Sequence, residues 1–191
     1  MLLERIVPGF DVHAPGIDEA ARPGELPADL ARRLAREKAM DVAAGFPDRL
    51  VIGSDQVASL DGRDVIGKPG NHERAREQLR AASGRTMLFH TALACIRQAD
   101  DFRDETVVTT QVRFRRLTGS EIENYLHLEE PWDVAGSARA EGLGIALLEA
   151  IEGDDPTALI GLPLIALSAM LSRAGLSPLA RLSPLAARRA P

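Results

Sequence analysis

Apolar residues recur at helical spacing through residues 26–46, where Leu30, Leu34, Val42 and Phe46 alternate with Arg32, Arg33, Arg36, Glu37, Lys38 and Asp41. This pattern predicts a long amphipathic helix, with Asp29 in a first turn whose dipole favours an acid. The apolar run Leu50-Val51-Ile52 then gives way to Gly53-Ser54-Asp55-Gln56, which predicts a buried strand delivering Asp55 at its polar end. A hairpin returns the chain to Lys68, held between Gly67 and Pro69. Asn71 is a good N-cap for a helix over residues 73–82, and Ser83-Gly84 ends it. Residues 86–96 and 106–114 are rich in β-formers and predict an antiparallel pair joined by the polar segment 97–105.

Thr118-Gly-Ser-Glu121 has the form of a capping box and opens a helix to about Leu128, with Ile122, Tyr125 and Leu126 on its apolar face. Pro131-Trp132 ends it. The small-residue loop 135–144 carries one base, Arg139, and one acid, Glu141, in a setting where glycines let backbone approach a ligand. Residues 145–151 read as a strand, Gly153-Asp154-Asp155-Pro156 as a turn, and 163–173 as a closing helix with Pro163 at its first turn and Gly175 beyond its end. At the front, Leu2, Leu3 and Ile6 read as the tail of a helix broken at Pro8-Gly9, followed by a short strand through Phe10 and Val12. Asp18-Glu19 fall in a loop. From Leu176 the chain repeats Ser-Pro-Leu-Ala and is expected to be mostly disordered.

With 191 residues, 45% hydrophobic and 27% charged, the chain is long enough for one sizeable core and short for two, so residues 1–175 are expected to form a single domain. A formal charge of −5 argues against a duplex-binding protein, whose affinity rests on many phosphate contacts from a basic face. The lone Cys95 excludes an internal disulfide and a cysteine metal cluster; in its apolar run it reads as a buried thiol, which fits a reducing cytosol. Acid and base interleave in the first ten residues, so no signal peptide is expected, and no apolar window approaches the roughly eighteen residues of a membrane span.

Gly62-Arg-Asp-Val-Ile-Gly67-Lys68 satisfies the spacing of a phosphate-binding P-loop, but Pro69 stands where a Ser or Thr must bind Mg²⁺, and Val65-Ile66 are extended rather than helical in pattern. Gly142-Leu-Gly144 lacks the third glycine and the helix of a dinucleotide fingerprint. His13, His72, His90 and His127 lack the i, i+4 spacing of a helical zinc site, and no Gly-x-Ser-x-Gly elbow is present. What remains is a set of charges at element ends: Glu19, Lys38, Asp55, Lys68, Arg139 and Glu141. Spacing alone does not make them converge, and the competing reading is of unrelated surface charges, with Asp18-Glu19 a solvated turn and Lys38 snorkelling.

Ordered along the chain, Asp18-Glu19, Leu34-Ala35-Arg36-Glu37-Lys38-Ala39, Ile52-Gly53-Ser54-Asp55-Gln56-Val57, Gly67-Lys68-Pro69, Ser83-Gly84 and Gly161-Leu162-Pro163-Leu164 resemble the Maf family of nucleoside triphosphate pyrophosphatases, up to about Gly175. Gln56, together with Ala135-Gly136-Ser137-x-Arg139-x-Glu141-Gly142 and Gly153-x-Asp155-Pro156-x-x-Leu159-Ile160-Gly161, is similar to the branch acting on 7-methyl-GTP. The dTTP/UTP branch more often shows Thr at the position of Gln56 and Gln at that of Glu141. Family members usually begin with a Ser-x-Ser-Pro-x-Arg-Arg segment, whereas this chain begins at the helix that follows it; either the natural start lies upstream or the site lacks that loop.

The resemblance implies an α/β fold of the Maf and inosine-triphosphatase kind, a mixed twisted sheet flanked by helices with a central cleft. It implies that Asp55 readies a water for attack at the α-phosphorus and that Glu19 shares a Mg²⁺ or Mn²⁺ ion with it or orients the water. Lys38 and Lys68 would hold the triphosphate. Gln56, Arg139 and Glu141 would set base preference, Glu141 by accepting hydrogen bonds from a guanine edge; Trp132 could stack on a cationic purine, with core packing the favoured role for it. A cytoplasmic house-cleaning enzyme, with a homodimer among its common states, is the implied protein. The alternatives are a dTTP/UTP or inosine-type pyrophosphatase and a non-catalytic, nucleotide-binding regulator of cell division.

Overall fold

Helix α1 (Pro27–Gly45) begins where Pro27 sets the first turn and Asp29 meets the helix dipole. The computed structural model of the protein describes residues 2–180. The buried stripe of α1 is Leu30, Ala31, Leu34, Ala35, Ala39 and Ala43. Val42 and Phe46, expected on that stripe, are half-buried and 39% exposed, and alanines take their place. Small side chains let the helix lie close on β1 (Val51–Ser59), and Gly53 completes the fit. A Cβ on Gly53 would stand 2.8 Å from the Ala39 amide nitrogen and closer still to the Ala35 carbonyl oxygen.

Four strands, β1, β2 (Thr86–Arg97), β3 (Phe102–Phe114) and β4 (Leu148–Glu152), lie side by side in that order. The α/β class stands, but every described pairing is antiparallel, so the parallel component of the expected mixed sheet is not among these residues. The connections explain this: helices α2 (His72–Ala82) and α3 (Gly119–Glu129) leave and re-enter the sheet at the same end instead of crossing its length. β2 and β3 are joined more tightly than expected, by the turn Gln98–Asp100 and Asp101 in the left-handed region at φ 52°. Both predicted caps are present: the Asn71 side chain accepts from the Arg74 N–H, and Thr118 and Glu121 form the reciprocal box.

Because strand side chains alternate, the sheet has two distinct faces. Val57, Ala92, Ala94 and Ile96 pack under α1. On the opposite face Leu93 and Cys95 pack on α4 (Leu164–Arg173), while Met87, Phe89, Val112 and Phe114 pack on α2 and α3. The front segment forms only a short turn, Leu3–Arg5, and the strand expected through Phe10 and Val12 does not form. The expected strand 145–151 begins later, at Leu148, after the turn Leu143–Leu147. Leu176, where a disordered tail was expected, donates its N–H to the Leu171 carbonyl and packs on the α4 cluster. Residues 181–191 of that expectation lie outside the described range.

Candidate active site

Asp55 occupies the middle of β1 rather than its end, since the strand continues to Ser59. The polar run Gly53-Ser54-Asp55-Gln56 suggests an end, but Val57, Ala58 and Ser59 beyond it are buried and keep the strand running. Asp55 faces α1, two residues beyond the point where Gly53 lets that helix touch the strand. Lys38, on the adjoining turn of α1, therefore reaches it: Nζ lies 2.7 Å from Asp55 Oδ1. Glu19, in the loop before α1, meets the same ammonium at 2.7 Å through Oε1. The Asp55 and Lys38 side chains are 11% and 19% exposed, so both are largely but not wholly desolvated.

Burial raises the proton affinity of the Asp55 carboxyl above its ordinary value, against the pull of Lys38; the Glu19 charge adds to the rise and the Lys68 charge opposes it. On Lys38 burial disfavours the ammonium, but hydrogen bonds to Asp55 and Glu19 and their charges together outweigh it, and Lys38 is held protonated. The pair is thus an ammonium beside a carboxylate whose basicity exceeds that of a solvated aspartate.

Glu19 is held where it is by a residue that sequence reasoning took for surface filler. Arg33 is 5% exposed; it donates to the Ala20 carbonyl at 2.9 Å, to both oxygens of Glu25 and to Glu37. Only the i, i+4 spacing of Arg33 and Glu37 gave a hint of this in the sequence. Lys68 comes to the site by another route. Ile66 pairs antiparallel with Ala58 along the free edge of β1, its N–H donating to the Ala58 carbonyl at 2.7 Å, and Lys68, two residues on, lies near enough for its charge to act on Asp55. Lys68 is exposed and, among the described residues, forms no ion pair.

The proposed base-selecting residues fall elsewhere. Gln56 follows Asp55 and so points to the opposite face, where its Nε2 donates to the Ala158 and Leu159 carbonyls and to Thr91 Oγ1. It anchors the segment 153–161, on the face of the sheet opposite the carboxylates. Arg139 is engaged by acids of its own surroundings: Nη1 pairs with Glu129 at 3.0 Å, Nη2 with Asp133 at 2.9 Å, and its backbone N–H donates to the Tyr125 hydroxyl. Glu129 also accepts from the Leu143 N–H and lies where a Cβ on Gly142 would be. Its reach from the end of α3 left no sequence signal. Glu141, on the loop so clamped, is exposed. Trp132 packs against the core cluster, with its ring 5.8 Å from that of His72.

Asp55 and Glu19, sharing one ammonium, offer two carboxylates at one place. Mg²⁺ and Mn²⁺ take few protein carboxylates and complete their shell with phosphate oxygens and water, so this donor set fits such an ion bound together with a substrate. Among the described residues no group of three or more His, Cys, Asp or Glu is arranged to hold a metal by itself. No described helix is long and apolar enough to cross a membrane.

Fold and site together define an α/β protein with a charged site set between the sheet and its covering helix. The chain belongs to the Maf-like protein family, whose model matches residues 1–174. It is 58% identical over 179 residues to a 7-methyl-GTP pyrophosphatase of Bordetella parapertussis, covering 93% of this chain and 88% of that protein. It is 53% identical over 176 residues to one of Polaromonas sp., with 92% and 80% covered, and 55% identical over 174 residues to one of Xanthomonas axonopodis pv. citri, with 91% and 90% covered.

Proposed function

We propose that this protein is a nucleoside triphosphate pyrophosphatase that hydrolyses 7-methyl-GTP to 7-methyl-GMP and pyrophosphate in the cytoplasm, removing a modified nucleotide. The observation that carries the reading is Asp55 and Glu19 converging on Lys38 at 2.7 Å each, within a chain more than half identical to proteins of that activity. Asp55, its basicity raised by burial, accepts a proton from a water. The oxygen of that water attacks the α-phosphorus, and the bond from the α-phosphorus to the bridging oxygen breaks, so pyrophosphate leaves with the bridging oxygen. Lys38 and Lys68 hold the phosphate oxygens as point charges. A Mg²⁺ or Mn²⁺ ion held by Asp55 and Glu19 would neutralise charge on those oxygens. Glu141 is the group offered to the base: a carboxylate accepts from the guanine N1–H and exocyclic amine and favours the positive charge that N7-methylation confers.

Pyrophosphate release from a panel of nucleotides with Mg²⁺ or Mn²⁺ tests this. 7-Methyl-GTP is expected to be the best substrate, and Glu141→Gln is expected to shrink its advantage over GTP and UTP. Release from dTTP or UTP but not from 7-methyl-GTP would sink the base assignment, and release from none would sink the enzyme.

A further inference from the structure

The side-chain amide of Gln78, on α2, joins the loop of Lys68 to the segment that carries Glu141. Its Nε2 donates at 3.0 Å to the carbonyl of Gly67, the residue before Lys68, and its Oε1 accepts at 2.6 Å from the hydroxyl of Ser137. A carbonyl oxygen only accepts, so chemistry fixes the orientation of the amide, with nitrogen toward Gly67 and oxygen toward Ser137.

Ser137 is no ordinary partner. Its side chain is fully buried and its backbone lies in the left-handed region at φ 57°. A non-glycine residue persists there only where its surroundings impose the conformation. The preceding Gly136, at φ 73°, is equally confined, since a Cβ would stand 2.6 Å from the Met87 sulfur. A second tie runs in parallel: the Gly70 N–H donates to the Trp132 carbonyl at 2.9 Å. The loop 67–70 is thereby held at both ends by groups whose other contacts fix residues 132–137.

We propose that Gln78 is a positioning residue that couples the phosphate-holding Lys68 to the base-reading segment 135–144, so that seating the base sets the reach of the lysine. The inference rests on the reading of Lys68 and Glu141 given above. Gln78 itself touches no substrate; it acts through the Gly67 carbonyl on one side and Ser137 on the other.

Two variants separate the ties. Gln78→Met removes both hydrogen bonds without adding charge, and Ser137→Ala removes one. Inorganic tripolyphosphate with Mg²⁺ serves as a probe of the phosphate side alone, its binding measured by calorimetry alongside KM and kcat for 7-methyl-GTP and GTP. Gln78→Met is expected to weaken tripolyphosphate about tenfold and to raise KM for 7-methyl-GTP by a similar factor, the scale of one lost hydrogen bond. Ser137→Ala is expected to narrow the discrimination between 7-methyl-GTP and GTP severalfold while tripolyphosphate affinity stays within about twofold of the wild type. A purely structural role would lower the melting temperature and the active fraction and leave folded protein with unchanged KM, discrimination and tripolyphosphate affinity; that result overturns the proposal. If Gln78→Met does not fold, unchanged discrimination in Ser137→Ala overturns it alone. A wild type that releases no pyrophosphate defeats the functional reading. The coupling then stands if tripolyphosphate binds the wild type and is weakened alike by Lys68→Ala and Gln78→Met, and it falls if either condition fails.

Discussion

Lys38 and Asp55 are 17 residues apart in the chain and 2.7 Å apart in space, the ammonium of a helix lying on the carboxylate of the strand beneath it. Replacing Asp55 by Asn keeps the shape and a hydrogen-bond acceptor but removes the base. Pyrophosphate release is expected to fall at least a hundredfold, about 3 kcal/mol of barrier. The circular dichroism spectrum and melting temperature should match those of the wild type. Full residual activity would remove Asp55 from the reaction.

Lys38→Met and Lys68→Ala are each expected to lower kcat/KM about a hundredfold, as lost electrostatic donors do. The pH profile distinguishes them. Burial already raises the Asp55 pKa, so activity that needs its ionised form is lost as pH falls through that raised value. Removing the Lys38 ammonium, the strongest group opposing the rise, moves the acid limb of residual activity to higher pH. Lys68, the more weakly coupled charge, moves it less.

Gly53→Ala places a methyl group against the backbone of α1 at Ala35 and Ala39, neither of which can yield without displacing the helix. A loss of about 3 kcal/mol in urea unfolding is expected, at the upper end for overpacking. Because the same contact sets Lys38 over Asp55, kcat/KM of the folded fraction should drop as well. A variant with wild-type stability would show that α1 has room to move.

Glu25, hydrogen-bonded first by Arg33 and partly offset by burial, has its pKa lowered from 4.5 to about 2. A carboxyl depressed on folding contributes stability that is complete above its unfolded value and disappears as pH falls through the folded one. The melting temperature of Glu25→Gln should therefore lie below that of the wild type at pH 7, and the gap should close between about pH 4.5 and pH 2. A gap that stays constant to pH 2 would show that the ionised Glu25 is not what holds the loop.

Local chemistry made some of this architecture readable in advance. The Asn71 cap and the Thr118–Glu121 box are contacts within one turn, so their residues announce them. The Lys38–Asp55 meeting is not local; only the likeness of the ordered motifs to a known family suggested it, and the reason it occurs is an alanine face on α1 laid against Gly53. Gln56 shows the reverse. A neighbour of Asp55 in sequence, it is turned to the other face by strand alternation, which becomes visible only once β1 is known to extend to Ser59. Glu129 and Gln78, and Arg33 beyond its i, i+4 partner, were unreadable for a common reason: their other partners come from separate elements, and a long polar side chain looks the same in sequence whether it meets solvent or a loop.

Cys95 lies wholly inside the sheet against α4, and burial pushes its thiol up to about 12. Thiol reagents attack the thiolate and need access, so the folded protein should ignore them at neutral pH. The chain thereby carries its own clock. The rate at which a chromogenic disulfide reagent modifies its single cysteine reports how often β2 and α4 part, with no label introduced and no other sulfhydryl to confuse the signal.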